Sequence, residues 1–298
     1  MMNKETTPSK KSGLYIGLLC YVLWGILPAY WNLLGGVNPL LILCARILFA
    51  FIFMLCLMAI MGQMQMFWDT LRDKRKMMYL IPCALLISFN WGLFIYAVNT
   101  GRIIDTSIGY YMNPLMSFLL GVIVLKEKSS KMQLVAVGLA FTGVLISIIA
   151  YGRIPLISIS LALSFAIYGL LKKKAHVDPN ASITIESMLI APFAMLFALI
   201  FMTDSIREVG TLEVLLLVGG GIATAVPLVL YSRAVNNIPF ITVGFLQYIA
   251  PSLSLIYGLI IGIRPTGSQI ISFIFVGMGL IVFSIALVRI AKKERELG

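Results

Sequence analysis

Acidic side chains are scarce in this chain: twelve Asp and Glu stand against 23 Lys and Arg, with a single histidine among 298 residues. Chemistry that needs paired carboxylates, an acid–histidine couple or a nucleophile beside its base has almost nothing to draw on, so an enzyme is not expected. Charge of both signs is thin, at 12% of residues, where a soluble domain carries about a quarter. No segment reads G-x-x-x-x-G-K-[ST], which excludes the loop that cradles the phosphates of ATP. Cysteine is rare too. Cys20, Cys44, Cys56 and Cys83 all fall inside apolar runs without CxxC spacing, where cysteine behaves as a small hydrophobe. Neither a disulfide framework nor a metal site is expected, and His176, alone behind Lys172–Lys174, cannot build a ligand cluster. No cofactor is implied. The net charge of +11 comes without a basic stripe interleaved with aromatics, so nucleic acid is not an expected partner.

What the chain has in excess is apolar surface, 60% of its residues. A bilayer-crossing helix takes about 20 mostly apolar residues. Ten windows qualify: 14–34, 39–62, 77–98, 103–125, 132–150, 154–171, 182–202, 212–232, 238–261 and 267–288. A count of nine would demote 154–171, the shortest, but Lys172–Lys174 ends it cleanly as a loop. Residues 1–13, with Lys4, Lys10 and Lys11, resemble the start of a signal peptide. The apolar run that follows is too long for one and is read as a retained span. With the N-terminus inside, the cytoplasmic segments collect 18 Lys and Arg, and the other side only Arg102, Arg153, Arg207 and Arg264. That bias places both termini in the cytoplasm and requires an even number of spans.

An internal repeat is legible. A shift of 137 residues sets Ala97-Val98-Asn99 on Ala234-Val235-Asn236, Tyr111 on Tyr248, Pro114 on Pro251, Ser117 on Ser254 and Gly121 on Gly258. Shifts of 140 and 144 set Asn38-Pro39 on Asp178-Pro179 and Gly25 on Gly169. Five helices per half is odd, so the second half enters the membrane upside down. The predicted fold is an all-α integral membrane protein of ten transmembrane helices in two inverted five-helix repeats, 1–150 and 151–298. Inverted repeats of this kind mark secondary transporters, with a site near the midplane at the repeat interface.

The segments Tyr21-Val22-Leu23-Trp24-Gly25-Ile26, Asn90-Trp91, Gly109-Tyr110-Tyr111-Met112-Asn113-Pro114-Leu115, Ser164-Phe165-Ala166-Ile167-Tyr168-Gly169 and Gly244-Phe245-Leu246-Gln247-Tyr248-Ile249-Ala250-Pro251 resemble the RarD group of the EamA (drug/metabolite transporter) superfamily. The pieces stand in order between about residues 14 and 288. The resemblance implies a ten-helix fold of two inverted halves and export of small metabolites or drugs across the cytoplasmic membrane. Two departures stand out. Where the family often has His-Arg in the second helix, this chain has Ala45-Arg46. Where the family places an acid after both helix 4 and helix 9, this chain has Glu127 first but Arg264 second.

The residues expected to carry the work are polar or aromatic groups inside spans. Pro114, Pro227 and Pro251 are helix kinks, each removing a backbone donor, and either pack the bundle or open a wet cavity. Asn113, Gln247 and Tyr248 beside two of these prolines favour the cavity. Asn90 reads equally as interhelical glue or as a substrate contact in an apolar pocket. Trp24, Trp91, Tyr110 and Tyr168 are expected to wall that pocket, whereas Tyr30 and Trp31, near a helix end, read as an interface belt.

Arg46 and Glu186 are the charges placed well inside spans, each seven residues after its proline, or about 10 Å from its entry surface. A charge at bilayer depth is a functional residue by default, although Arg46 has the reach to snorkel to headgroups. Glu186 is the expected protonation site if transport is proton-coupled, with Arg46 as its expected counterweight. The expected function is secondary active export of small amphipathic solutes by alternating access. A uniporter or exchanger of metabolites such as amino acids is the alternative, with a channel or membrane enzyme further off. The expected partners are the lipid bilayer and a small-molecule substrate, in a monomer or a homodimer.

Overall fold

A computed structural model describes residues 10–262 and 264–296; Lys4 and the rest of residues 1–9 lie outside the described residues. The first half comprises α1 (Lys10–Asn32), α2 (Pro39–Ile60), a short α3 (Met64–Arg72), α4 (Lys74–Asn99), α5 (Ile103–Ile123) and α6 (Lys131–Tyr151). The second comprises α7 (Leu156–Ala175), α8 (Pro179–Phe201), a short α9 (Thr203–Glu208), α10 (Thr211–Asn237), α11 (Phe240–Leu246), α12 (Ile249–Ile260) and α13 (Gly267–Glu296). No strand occurs among the described residues.

Nine segments among the described residues are long and apolar enough to cross a membrane: eight single helices and the broken pair α11–α12. The tenth predicted span, α5, falls outside that set because it carries Asp105, Tyr110, Tyr111, Asn113 and Ser117. Asp105, Asn113 and Ser117 are buried against other helices. Protein rather than lipid therefore meets their polar atoms, which is how a bilayer-crossing helix tolerates them. Many of the large side chains left exposed on the long helices are apolar, Ile149, Phe193 and Ile281 among them, as a lipid-facing surface requires.

Local chemistry repeats between the halves. Asn38 caps α2 by accepting a hydrogen bond from the Leu40 amide, with Pro39 at the first helical position. Asp178 caps α8 through the Asn180 and Ala181 amides, with Pro179 in the same place. Side-chain oxygens on orphan amides, followed by proline, are strong helix starts.

The packing has the same symmetry. α13 lies on α6, α2 on α8, and α5 on α11, each pairing an element with its own repeat mate. α4 on α7 is mirrored by α10 on α1, and α5 on α7 by α12 on α1. Gly25 and Gly169 serve this packing. A Cβ on Gly25 would lie 2.7 Å from Leu253 Cβ, and one on Gly169 would overlap the Tyr231 hydroxyl.

Three sequence expectations are corrected. Lys172–Lys174 is not a loop: α7 runs on to Ala175, and the Lys172 side chain is 2% exposed. Burial is tolerated because Lys172 finds a carboxylate, described below. The window 238–261 is not one helix but breaks at Gln247–Tyr248, just ahead of Pro251, which cannot donate back to Gln247. Pro114 and Pro227, by contrast, sit within α5 and α10 without interrupting them. Finally, Tyr30 and Trp31 do not form a belt. The Tyr30 hydroxyl donates to the Leu216 carbonyl, and Trp31 packs against Arg46 inside the bundle.

Candidate functional site

A cavity of about 1310 Å³ lies between the two halves. Its walls are the C-terminal parts of α1 and α4, the N-terminal parts of α2 and α5, and the α12–α13 turn. Those parts share one face of the bundle, the face away from the start of α1 and the end of α13, so the cavity opens there. Trp24, Arg46, Asn90 and Trp91 line it, as do Tyr110, Asn113, Gln247 and Pro251. Tyr168, Glu186, Tyr248, Pro114 and Pro227 do not.

Arg46 is held inside rather than turned to headgroups. Its Nε donates to Thr224 Oγ1 at 2.9 Å, and its guanidinium lies 4.5 Å from the Trp31 ring centroid and 4.9 Å from that of Trp91. Each such contact contributes about 0.5–2 kcal/mol, more where water is excluded. Arg46 forms no ion pair among the described residues. Asn90 donates to the Leu161 carbonyl at 2.8 Å and to Ser164 Oγ at 2.9 Å, so its amide ties α4 to α7 at the cavity wall.

At the floor, Gln247 Nε2 donates to Ser117 Oγ at 3.2 Å, which orients its carbonyl oxygen away from that bond. Among the described residues, Asn113 Oδ1, Gln247 Oε1 and the Tyr21 hydroxyl are buried without a well-formed hydrogen bond, the Tyr21 and Gln247 side chains lying against each other. The Tyr248 hydroxyl donates to the Tyr111 carbonyl at 3.1 Å, so the two repeat-equivalent tyrosines meet at the centre of the molecule.

Glu186 lies outside the cavity, and its partner is not Arg46. Lys172 Nζ stands 2.6 Å from Glu186 Oε1, Ser182 Oγ donates to the same oxygen at 2.7 Å, and the Tyr168 hydroxyl donates to Oε2 at 3.1 Å. Only such full pairing makes two charges tolerable at this depth. Ile87, Trp91 and Leu228 separate the pair from the cavity, since they line both it and the small void beside Glu186. The signal for Lys172 was its place four residues after Tyr168, on the same helix face.

The face that carries the termini is sealed. Tyr168 stacks on Tyr231 at 5.9 Å, with Phe165 and Trp24 packed around them. Glu127 accepts from the Phe240 and Ile241 amides at 2.7 and 2.9 Å, capping α11. Lys173 Nζ donates to the Ile238 carbonyl at 2.7 Å, and Asn236 Nδ2 to the Val177 carbonyl at 3.0 Å.

Two other residues at the open mouth were not singled out from sequence. Asp105 is buried, with its carboxylate accepting from Tyr151 and Ser158. Arg153 is exposed at the rim, 4.5 Å above the Tyr151 ring.

Ten bilayer-length segments in two inverted halves, enclosing a cavity open to one face, define a membrane transporter of the inverted-repeat class. The chain belongs to the EamA-like transporter family, which matches residues 11–149 and 153–285. It is 37% identical to "Uncharacterized transporter YojE" of Bacillus subtilis (strain 168), over 97% of both chains. It is 36% identical to "Protein RarD" of Escherichia coli (strain K12), over 92% of this chain and 94% of the other. A solved structure titled "Crystal structure of protein" shares the fold with a TM-score of 0.74 at 17% identity, covering 95% of this chain and 99% of that one.

Proposed function

We propose that this chain is a secondary transporter that exports small metabolites or drug-like amphipathic molecules across the bacterial cytoplasmic membrane by alternating access, with both termini in the cytoplasm. The observation that carries this reading is the cavity itself, open on the face away from the termini and closed by packed aromatics on the other. On this sidedness the present state is outward-facing. A channel is disfavoured by the closed floor, because conduction needs a continuous path. A second reading, a uniporter or exchanger, draws support from Glu186, whose carboxylate is tied to Lys172 rather than free in the cavity.

Repeat symmetry supplies the test. Ile104 lines the cavity and is exposed, whereas its mate under the shift of 137, Ile241, is buried in the sealed half beside the fully buried Val243. Single cysteines at Ile104 and Val243 should react with a membrane-impermeant thiol reagent from the outer and the inner face respectively, each falling as the other rises. A Val243→Cys chain that never reacts from the cytoplasmic face removes the alternating-access reading. Sidedness is checked separately by cysteines at Lys173 and Arg153, which should label from opposite faces.

A further inference from the structure

The charges that line the cavity are all of one sign. Arg46 sits in its wall and Arg153 at its mouth, and among the described residues no Asp, Glu or Lys lines it. The neighbouring acid, Asp105, is 3% exposed, and both its carboxylate oxygens already accept hydrogen bonds, from Tyr151 and Ser158. The other buried acid, Glu186, is closed off with its own lysine. A cleft of one charge sign with low-dielectric walls concentrates ions of the opposite sign.

Arg46 is also pre-positioned. Its Nε is committed to Thr224 and its Cζ lies over the rings of both Trp31 and Trp91, while its two Nη groups make no hydrogen bond among the described residues. A guanidinium fixed in orientation with an unused fork is the arrangement that binds a carboxylate through two parallel hydrogen bonds.

A second observation points to the rest of the ligand. Five buried side-chain polar atoms lack a well-formed hydrogen bond among the described residues, and three belong to residues that line this cavity: Asn113 Oδ1, Gln247 Oε1 and the Tyr21 hydroxyl. Two of the three are pure acceptors. An unsatisfied buried acceptor is costly, and since the Tyr21 and Gln247 side chains lie against each other, Asn113 is the acceptor left for a ligand's donor. Between the cation and this acceptor the walls are aromatic, with Trp24 edge-on to Phe165 and Phe94 tilted against Tyr110.

We propose that the cavity recognises a planar aromatic carboxylate, its acid group held by Arg46 and a ring N–H or O–H received by Asn113. This names the substrate class of the transporter proposed above and rests on that reading for its purpose. The same charges disfavour amines and zwitterionic amino acids, because an ammonium group finds no free carboxylate in the cavity.

Three indoles of one shape separate the possibilities: indole-3-acetate, its neutral amide and the cation tryptamine. Detergent-solubilised protein should bind tritiated indole-3-acetate in a scintillation proximity assay, with the amide competing at least tenfold more weakly and tryptamine more weakly still. Arg46→Gln should lower acid binding tenfold or more and erase the preference for acid over amide, while Arg46→Lys keeps part of it. Equal competition by all three, binding of none, or an acid preference that survives Arg46→Gln overturns the proposal. The comparison of the three probes on the unmodified chain decides it even if Arg46→Gln does not fold. Counterflow in proteoliposomes is scored separately. Arg46-dependent binding without counterflow defeats the transport reading alone, and counterflow of amide and amine as fast as acid defeats the substrate class alone.

Discussion

Arg46 and Glu186 hold the same place in the two halves of this chain, seven residues after Pro39 and Pro179, yet their surroundings are opposite. Arg46 faces the large cavity with one hydrogen bond to Thr224 and two tryptophan faces. Glu186 is sealed behind Ile87, Trp91 and Leu228 with its charge matched by Lys172 and its lone pairs filled by Ser182 and Tyr168. Inversion explains the contrast. Equivalent residues of inverted repeats approach from opposite faces of the membrane, and only one face is open here. The open half keeps its charge available for a ligand, and the closed half neutralises its own.

The largest effect is expected from breaking the closed member of the pair. Glu186→Gln leaves Lys172 buried without its counter-charge, which costs about 3–5 kcal/mol. A steep fall in melting temperature in detergent should follow, and adding Lys172→Met to the same chain should recover most of it. An unchanged melting temperature would mean that the ion pair does not hold the closed half together.

Next in size is Glu127→Gln, which weakens two charge-assisted hydrogen bonds to the start of α11. Such bonds contribute about 1.5–3 kcal/mol each. Labelling of Val243→Cys from the cytoplasmic face should rise, because the seal loosens.

The open member should be far more tolerant. Arg46→Met gives up its cation–π contacts but also relieves an unpaired charge, so the net change in stability should stay within about 1 kcal/mol. A loss as large as that of Glu186→Gln would erase the distinction between the two halves.

The smallest effect on stability is expected from Asn113→Ala. Its carbonyl oxygen has no partner to lose among the described residues, so stability should change by no more than about 0.5 kcal/mol, read as a small shift in melting temperature. Counterflow should nonetheless fall, and parallel losses of both would reassign Asn113 to packing.

Much of this architecture is written in the sequence at short range. Apolar runs and the Lys/Arg clusters between them outline the ten segments, and the proline and aspartate or asparagine that open α2 and α8 are readable as caps. The shift that pairs Tyr111 with Tyr248 is also the separation across which the two residues meet. What escaped is contact between distant residues. Lys172 reads as the first of three loop lysines until α8 brings Glu186 within 2.6 Å of it. Trp31 reads as a membrane-surface tryptophan until α2 lays Arg46 on its face. The prolines differ for the same reason: local chemistry is equal at Pro114 and Pro251, but α5 stays continuous while its repeat mate divides into α11 and α12. Eight of the residues favoured from sequence share the cavity, because aromatic and amide side chains in apolar helices need an interior to face.

The cap on α11 makes the two ends of a transport cycle unequal. Glu127 satisfies the amides of Phe240 and Ile241. The corresponding amides at the other end of the molecule belong to Ile103 and Ile104, and the residue in the matching position is Arg264, which has no acceptor to offer. One gate can be latched by a carboxylate and the other cannot. A latch contributing about 2 kcal/mol biases a two-state equilibrium about thirtyfold, so on the proposed sidedness the unloaded protein should rest outward-facing. Its return from the inward state would be a downhill relaxation, and the step that unlatches Glu127 would set the pace of turnover.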